Sequence, residues 1–294
     1  MEPDLDKIKE SLISIISPML NNAKERKLLR IRIEFSKLPH IDAAHAFDNE
    51  TGNRWIVLNS KVFTTLHQVN DRFCQLINLN NNPHAAKEEL LSAFLNFPDR
   101  IAGYFLRGKR EPALKPGEAP GNTWVATSAQ QIFLTLHELG HVFLEHGRTS
   151  ASDIGSHVSV WHAQNARPEE VDAVDLFAAS HMAKGPWPTV YSTDRRQLLL
   201  GIFRFFESLE LLRKMDRYSI GPHIAPRERF INIAGIMDRK SYLEEKPFFD
   251  DCQSMLDDMY SVWKLRFRRA KSKTTSRNAD RAVRLPFPCP GFRD

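Results

Sequence analysis

The pattern His-Glu-Leu-Gly-His at residues 137–141 constrains this chain more than any other feature of its sequence. If the segment is helical, its two histidines lie on one face, about one turn and ~6 Å apart. Two imidazoles in that arrangement can bind one metal ion, and Glu138 lies beside them, where it can accept a proton from water. The pattern therefore predicts a metal-binding helix with His137 and His141 as ligands and Glu138 as the general base.

The surrounding sequence predicts a buried helix over residues 127–147. Ser128 followed by Gln131 is typical of a helix start, and Gly147 lies where a helix commonly ends. The apolar residues that cover most of the circumference are Ile132, Phe133, Leu136, Leu139, Val142, Phe143 and Leu144. Polar side chains on a buried helix need partners, so this setting favours a zinc site over two hydrogen-bonded core histidines.

A zinc site needs a third protein ligand, which the same helix does not supply. The metzincin motif H-E-x-x-H-x-x-G-x-x-H requires glycine and histidine where this chain has Leu144 and Gly147. His146 lies nine residues after His137, about half a turn round the helix, and is expected to face away from the metal. We therefore expect the third ligand to come from another segment.

The best source of that ligand is a second predicted helix, over residues 168–181. Pro168 followed by two glutamates is typical of a helix start. At 100° per residue, the residues that share the face of Glu170 are Ala173, Val174, Phe177, Ala178 and His181. A carboxylate on an apolar face needs a partner, so Glu170 is predicted to bind the metal; the alternative is that it only complements the helix dipole.

Two aspartates of this helix are expected on the solvent-exposed side, opposite the face that carries Glu170. Asp172 and Asp175 lie roughly 140–200° from Glu170. If the helix starts later or contains a bulge, however, Asp175 becomes a group that orients a ligand histidine.

Two stretches of the chain resemble a known class of enzymes. His-Glu-Leu-Gly-His-Val-Phe-Leu-Glu-His at 137–146, followed by Glu-Glu-Val-Asp-Ala-Val-Asp-Leu-Phe-Ala-Ala at 169–179, is similar to zinc peptidases of the gluzincin type. Within these it resembles ImmA/IrrE-like peptidases and phage-exclusion peptidases of the Lit type. Residues 221–230 resemble their downstream His-Pro-x-x-x-Arg segment, although no proline directly follows His223. The resemblance implies a selective cut in an intracellular protein, in phage defence or regulated proteolysis.

The chain departs from the pattern of those peptidases at one position. Their pattern is Glu-x-x-Ala-Asn/Asp-x-Phe-Ala, in which the acidic or amide residue follows the alanine directly. Here Val174 separates Ala173 from Asp175. The departure leaves Asp172 and Asp175 as rivals of Glu170 for the role of third zinc ligand.

The expected chemistry is hydrolysis of a peptide bond at a zinc ion held by His137, His141 and Glu170. Zinc with three protein ligands keeps a position for water, lowers the pKa of that water and polarises a carbonyl. Glu138 is expected to accept the proton of the attacking water and pass it to the leaving nitrogen. His223 or His181 is expected to donate a further hydrogen bond to the oxyanion, and the alternative for each is a structural histidine.

The composition is typical of a soluble enzyme, and we expect a cytoplasmic one. Hydrophobic residues are 42% and charged residues 26% of the 294 residues, ordinary values for a globular protein. The three cysteines are far apart, so neither a disulfide framework nor a cysteine metal site is expected. We expect no signal peptide and no membrane partner, because the N-terminus has no basic leader and the apolar runs are short.

The predicted fold class is α+β: one mostly helical metallopeptidase domain over residues 1–265 with a small N-terminal antiparallel sheet. The sheet is expected within residues 28–60, as a strand from residue 28 beside a hairpin over 41–58. The active-site helices are expected within 128–185 and the C-terminal helices within 195–265. The other predicted elements are helices at 4–28, kinked near Pro18, at 61–79 and at 84–108, and an edge strand at 124–126.

Residues 266–294 are predicted to form a basic tail. The formal net charge of the chain is +5, and the positive residues near its end include Lys264, Arg266, Arg268, Arg269, Lys271, Lys273, Arg277, Arg281 and Arg284. Such a run indicates either a solvated tail or a patch for nucleic acid or an acidic protein. The alternative to a peptidase is therefore a catalytically silent, zinc-stabilised scaffold whose tail binds nucleic acid or a regulatory partner.

Overall fold

The structure is a computed structural model that describes residues 4–36, 44–48, 53–82, 84, 86–109, 123–144, 158–162, 167–185, 195–215 and 225–282. Within these ranges the side chains of 44–48, 87, 158–162 and 266–282 are not described. The helices are α1 (Leu5–Ile16), α2 (Ala23–Arg26), α3 (Ser60–Asn80), α4 (Lys87–Arg107), α5 (Thr123–Phe143), α6 (Pro168–Lys184), α7 (Arg195–Lys214) and α8 (Pro226–Ala282). The protein is therefore mostly helical, as the sequence predicts.

Four strands pair into one small sheet in the described part of the chain. They are β1 (Arg32–Ser36), β2 (Ala44–Asp48), β3 (Arg54–Asn59) and β4 (Val158–His162), in the order β1-β3-β2-β4. The predicted hairpin is confirmed, because β2 and β3 are antiparallel with Ala44 opposite Val57.

The prediction of an antiparallel N-terminal sheet is wrong. β1 pairs with β3 in parallel, with Ile33 opposite Ile56, and does not pair with β2, its neighbour in sequence. β4 also comes from far beyond residue 60 and pairs with β2. The alternation of apolar and polar residues shows which face of a strand is buried, but it is the same for both directions of pairing.

The helix predicted over 4–28 is divided at Pro18. α1 ends at Ile16, and Pro18 lies in a short 3-10 turn, Ser17–Met19, because proline cannot continue the hydrogen-bond ladder of an α-helix. A second break lies inside α8 at Asp238, whose φ of −162° and ψ of 86° are not helical. The carboxylate of Asp238 accepts hydrogen bonds from the amide and the hydroxyl of Ser241, so it caps the second segment of α8.

The helix that carries the histidine pair begins earlier than predicted. α5 starts at Thr123, so Ser128 is an interior residue and residues 124–126 are helical, where an edge strand was expected. Val125, Ala126 and Ala129 are all buried and extend the apolar surface of the helix by one turn. The predicted start at Ser128 and the predicted edge strand are therefore wrong, and the predicted end at Gly147 lies outside the described residues.

α5 lies at the centre of the fold, packed against α3, α6 and α7. Its interior polar side chains bond to those neighbours. Gln130 donates to the carbonyl of Gly201 in α7 at 2.8 Å and accepts from Asn70 in α3 at 2.8 Å. Gln131 donates to the carbonyl of Phe63 in α3 at 3.2 Å. These bonds fix the position and rotation of α5 in the core.

The C-terminal part of the chain is helical beyond the end of the predicted domain. α8 continues to Ala282, through the first half of the segment predicted as a basic tail. Trp263 is buried and donates from its indole nitrogen to Asp99 of α4 at 3.4 Å. Among the described helices, none combines the length and the apolar character needed to cross a bilayer.

Candidate metal centre

The structure brings His137, Glu138 and His141 together inside the protein. The three side chains are buried, and each offers one possible ligand atom within 4.8 Å of the others. The centres of the imidazole rings of His137 and His141 are 5.0 Å apart, in agreement with their four-residue spacing on a helix. The predicted grouping of these three residues is thus present in the described part of the chain.

The close approach of α6 to this site depends on Gly140. A Cβ atom at that position would lie 3.1 Å from the ring of Phe177 and 3.2 Å from the Cβ of Val174. The absent side chain lets α6 pack tightly on α5 in the middle of the segment His137–His141. As a result, Asp175, which follows Val174 in the sequence, lies beside His137.

The side chain of Asp175 is buried and bonded to the first histidine of the motif. Its Oδ1 lies 2.8 Å from Nδ1 of His137. Arg229 of α8 donates from Nε to Oδ2 at 2.7 Å and from Nη2 to Oδ1 at 3.0 Å. Burial raises the pKa of Asp175, but Arg229 and His137 outweigh that effect and lower this pKa to about 2.

The bond to Asp175 decides which nitrogen of His137 faces the site. An ionised carboxylate only accepts hydrogen bonds, so Nδ1 of His137 carries the hydrogen and donates it. In the neutral imidazole, the other nitrogen, Nε2, then has the lone pair that a metal ion would bind. It lies 4.0 Å from Oε1 of Glu138, on the side of the remaining motif residues.

Glu170 is not brought into this group. It lies in the first turn of α6, where its carboxylate accepts from the amide of Arg167 at 2.8 Å and from the guanidinium of Arg167 at 3.1 Å. These contacts cap the helix, and the position of Glu170 in the first turn also agrees with the alternative in which it complements the helix dipole. The role of Glu170 as third zinc ligand stays a prediction.

The buried face of α6 is displaced by about one residue from the predicted face. The buried residues of α6 are Val171, Val174, Asp175, Phe177, Ala178, Ala179 and Met182. Five of these, all except Phe177 and Ala179, follow the helical spacing i, i+3, i+4, i+7 and i+11. The predicted solvent-facing position of Asp175 is therefore wrong, and the alternative in which it orients a ligand histidine agrees with its bond to His137. Asp172 is exposed, as predicted.

Of the two histidines predicted as possible oxyanion donors, only His181 lies within the described residues. His181 is half-buried; its Nδ1 lies 2.7 Å from the carbonyl of Phe177, and its Nε2 lies 3.4 Å from the carboxylate of Glu25. Both ring nitrogens thus have protein partners, which fits the structural alternative for His181. His223 and His146 lie outside the described residues.

The two buried imidazoles are donors of a kind that zinc prefers, and the buried carboxylate of Glu138 lies beside them. The bond from His137 to Asp175 adds the outer partner that metal-binding histidines usually have.

Sequence reasoning missed Arg229, because an arginine in the first turns of a helix is ordinarily a surface residue. Comparison of the chain with models of protein families, with curated proteins and with solved structures found no match.

Proposed function

We propose that this protein is a zinc-dependent endopeptidase that makes a selective cut in a protein target. The observation that carries the proposal is the buried His137-Glu138-His141 group, in which His137 is bonded to Asp175. A site that only stabilises the fold would need the two histidines but no carboxylate between them. Glu138 is buried beside both histidines, and hydrolysis gives it a role as general base.

Each residue of the site has a part in the proposed reaction. His137 and His141 would hold zinc. Glu170 is proposed as the third ligand from the sequence pattern, and binding would require its carboxylate to leave the amide and guanidinium of Arg167. When bound, zinc supplies a Lewis acid that polarises a peptide carbonyl and activates water. Glu138 accepts a proton from the attacking water and passes it to the leaving nitrogen, and His223 is proposed to donate to the oxyanion.

The replacement of Glu138 by glutamine tests the proposal. We expect Glu138→Gln to retain one equivalent of zinc, because its neighbouring ligands are intact, and to lose cleavage. His137→Ala and His141→Ala are expected to lose the metal. Metal content is measured by elemental analysis, and targets are found by searching for new protein termini in cells that express the wild type or Glu138→Gln. Undiminished cleavage by Glu138→Gln contradicts the mechanism.

The third ligand can be tested separately from the cap that Glu170 forms. Glu170→Ala is expected to weaken zinc affinity by about tenfold or more, because a lost ligand should cost at least as much as a lost outer partner. It should also cost about 1 kcal/mol of stability through the lost helix cap. Zinc affinity is measured by competition with a chelator, and Asp172→Ala and Glu169→Ala, both at exposed positions, are the controls. Loss of stability with unchanged affinity would assign Glu170 to capping alone.

One observation supports the alternative function, a catalytically silent scaffold whose basic C-terminal segment binds nucleic acid. α8 extends as a helix through residues 266–282, so the basic residues there lie on a continuous helix. Truncation after residue 265 retains Trp263 and its contact with Asp99, and is therefore expected to leave zinc binding intact.

We expect that truncation to remove any nucleic-acid binding of the full chain. That binding should weaken steeply with salt, with a slope of about −0.9 in log affinity against log salt for each phosphate contacted. Fluorescence anisotropy with labelled duplex DNA and single-stranded RNA measures the affinity at several salt concentrations. If the full chain binds neither at low ionic strength, the nucleic-acid alternative is eliminated.

A further inference from the structure

The bidentate contact between Arg229 and Asp175 connects the metal centre to α8. The guanidinium of Arg229 occupies both oxygens of the carboxylate, at 2.7 Å and 3.0 Å. Oδ1 of Asp175 is shared, because it also accepts from His137 at 2.8 Å. Arg229 and His137 thus contact the same carboxylate, although 92 residues separate them in the sequence.

Arg229 is itself held in place by the core. It is 8% exposed, and its guanidinium lies 5.0 Å from the ring centre of Phe206 in α7. Phe206 is completely buried and packs against Phe133 of α5, with the ring centres 5.7 Å apart. The arginine is therefore fixed relative to the helix that carries both histidines.

The carboxylate of Asp175 needs a partner to hold its orientation, because the terminal torsion of an aspartate side chain is soft. Rotation about that torsion would turn Oδ1 away from Nδ1 of His137. The planar guanidinium, bonded to both oxygens at once, holds the carboxylate plane in one orientation, which the single ammonium group of a lysine cannot do.

We propose that Arg229 is a positioning residue of the metal centre: by fixing Asp175, it holds His137 with Nδ1 toward the carboxylate and Nε2 toward the metal. This inference rests on the metal binding of the proposed function, but not on peptidase activity. It gives α8, a helix that carries none of the motif residues, a direct part in the affinity of the site.

Zinc affinity in a set of matched variants tests the proposal. We expect Arg229→Gln and Arg229→Lys each to weaken zinc binding about tenfold, the lower end of the range for outer partners of metal ligands, and Asp175→Asn to weaken it about 10- to 100-fold. Because Arg229 acts through Asp175, the double variant Arg229→Gln/Asp175→Asn should bind zinc as tightly as Asp175→Asn alone. The double variant removes both charges of the pair, so neither is left buried without the other, which protects its folding.

Arg227 provides the matched control, two residues earlier in α8. It is bonded to Glu207 and Asp257. Arg227→Lys is expected to lower the melting temperature without changing zinc affinity. A second readout is independent of affinity and of cleavage: the nitrogen chemical shifts of the His137 imidazole in full-length protein labelled with ¹⁵N-histidine, which report the hydrogen on Nδ1. We expect this signal to change in Arg229→Gln and Arg229→Lys, but not in Arg227→Lys.

The outcomes separate this inference from the proposed function. Zinc binding equal to that of the wild type in both Arg229 variants, with unchanged His137 shifts, would overturn the positioning role and leave the peptidase proposal standing. An additional loss of affinity from Arg229→Gln in the Asp175→Asn background would also overturn it, because Arg229 would then act by another route. A wild type that binds zinc but cleaves nothing contradicts the peptidase proposal alone.

Discussion

Replacement of Arg227 by methionine is expected to lower the free energy of unfolding by about 3–5 kcal/mol, the usual cost of removing one partner of a buried ion pair. Arg227 bonds to Glu207 from Nε and Nη2 and to Asp257 from Nη1 and Nη2. Glu207 is 2% exposed. The variant leaves that carboxylate buried without its cation, a larger penalty than the loss of the contacts themselves.

A control and a second variant separate this effect from a general loss of charge. Lys246→Met removes an ion pair with Asp250 whose two side chains are about half exposed, so it should cost less than about 1 kcal/mol. Combining Arg227→Met with Glu207→Gln removes the buried charge and should restore part of the lost stability. Urea unfolding of the four proteins measures these differences. Equal losses from Arg227→Met and Lys246→Met would contradict the explanation.

The penalty in Arg227→Met should also depend on pH. Burial raises the pKa of Glu207 even with Arg227 in place, and without that cation the pKa rises further. An acid with a raised pKa in the folded state binds a proton that the unfolded chain releases, so stability falls as the pH rises between the unfolded and the folded pKa. Arg227→Met is therefore expected to lose less stability at pH 5 than at pH 8.

The sequence predicts the helices of this protein well, and the reason is visible in α3 and α5. A helix of 21 residues repeats its apolar pattern over almost six turns, so its existence does not depend on any single residue. The same regularity placed His137 and His141 on one face, because the spacing within a helix is fixed by the backbone. The histidine pair could therefore be predicted before any tertiary contact was known.

Two errors, in the pairing of the strands and in the buried face of α6, arose where the structure depends on distant parts of the chain. Whether β1 pairs with β2 or β3 is determined by contacts between strands, which alternation does not encode. In α6, apolar residues lie on several faces, so the phase of the buried face was ambiguous by one residue. The buried carboxylate of Asp175 is compensated by Arg229, 54 residues later, and by His137, and no local pattern predicts such partners.

The change from glycine to alanine is expected to have opposite effects at Gly201 of α7 and at Gly235 of α8. A Cβ atom at Gly201 would lie 2.5 Å from the carbonyl oxygen and 2.8 Å from the Cα of Ala126, and backbone atoms cannot move aside without separating the two helices. Gly201→Ala is therefore expected to destabilise the protein by about 3 kcal/mol, the upper end of the usual range for overpacking. Gly235 of α8 has no atom within 4 Å of its Cβ position and lies in a helix. Gly235→Ala should stabilise by about 0.4–1 kcal/mol, because alanine has less freedom in the unfolded chain.

The Gly201 substitution should also reach the metal centre, because Ala126 lies on the helix that carries His137 and His141. Separation of α5 from α7 would stretch the bond from Gln130 to the carbonyl of Gly201, now 2.8 Å, and would move α5 relative to α6. We therefore expect Gly201→Ala to weaken zinc affinity as well as stability, whereas Gly235→Ala should leave the affinity unchanged. Urea unfolding and chelator competition on both variants measure the two quantities. A Gly201→Ala protein as stable as Gly235→Ala would show that α5 and α7 are not packed this closely.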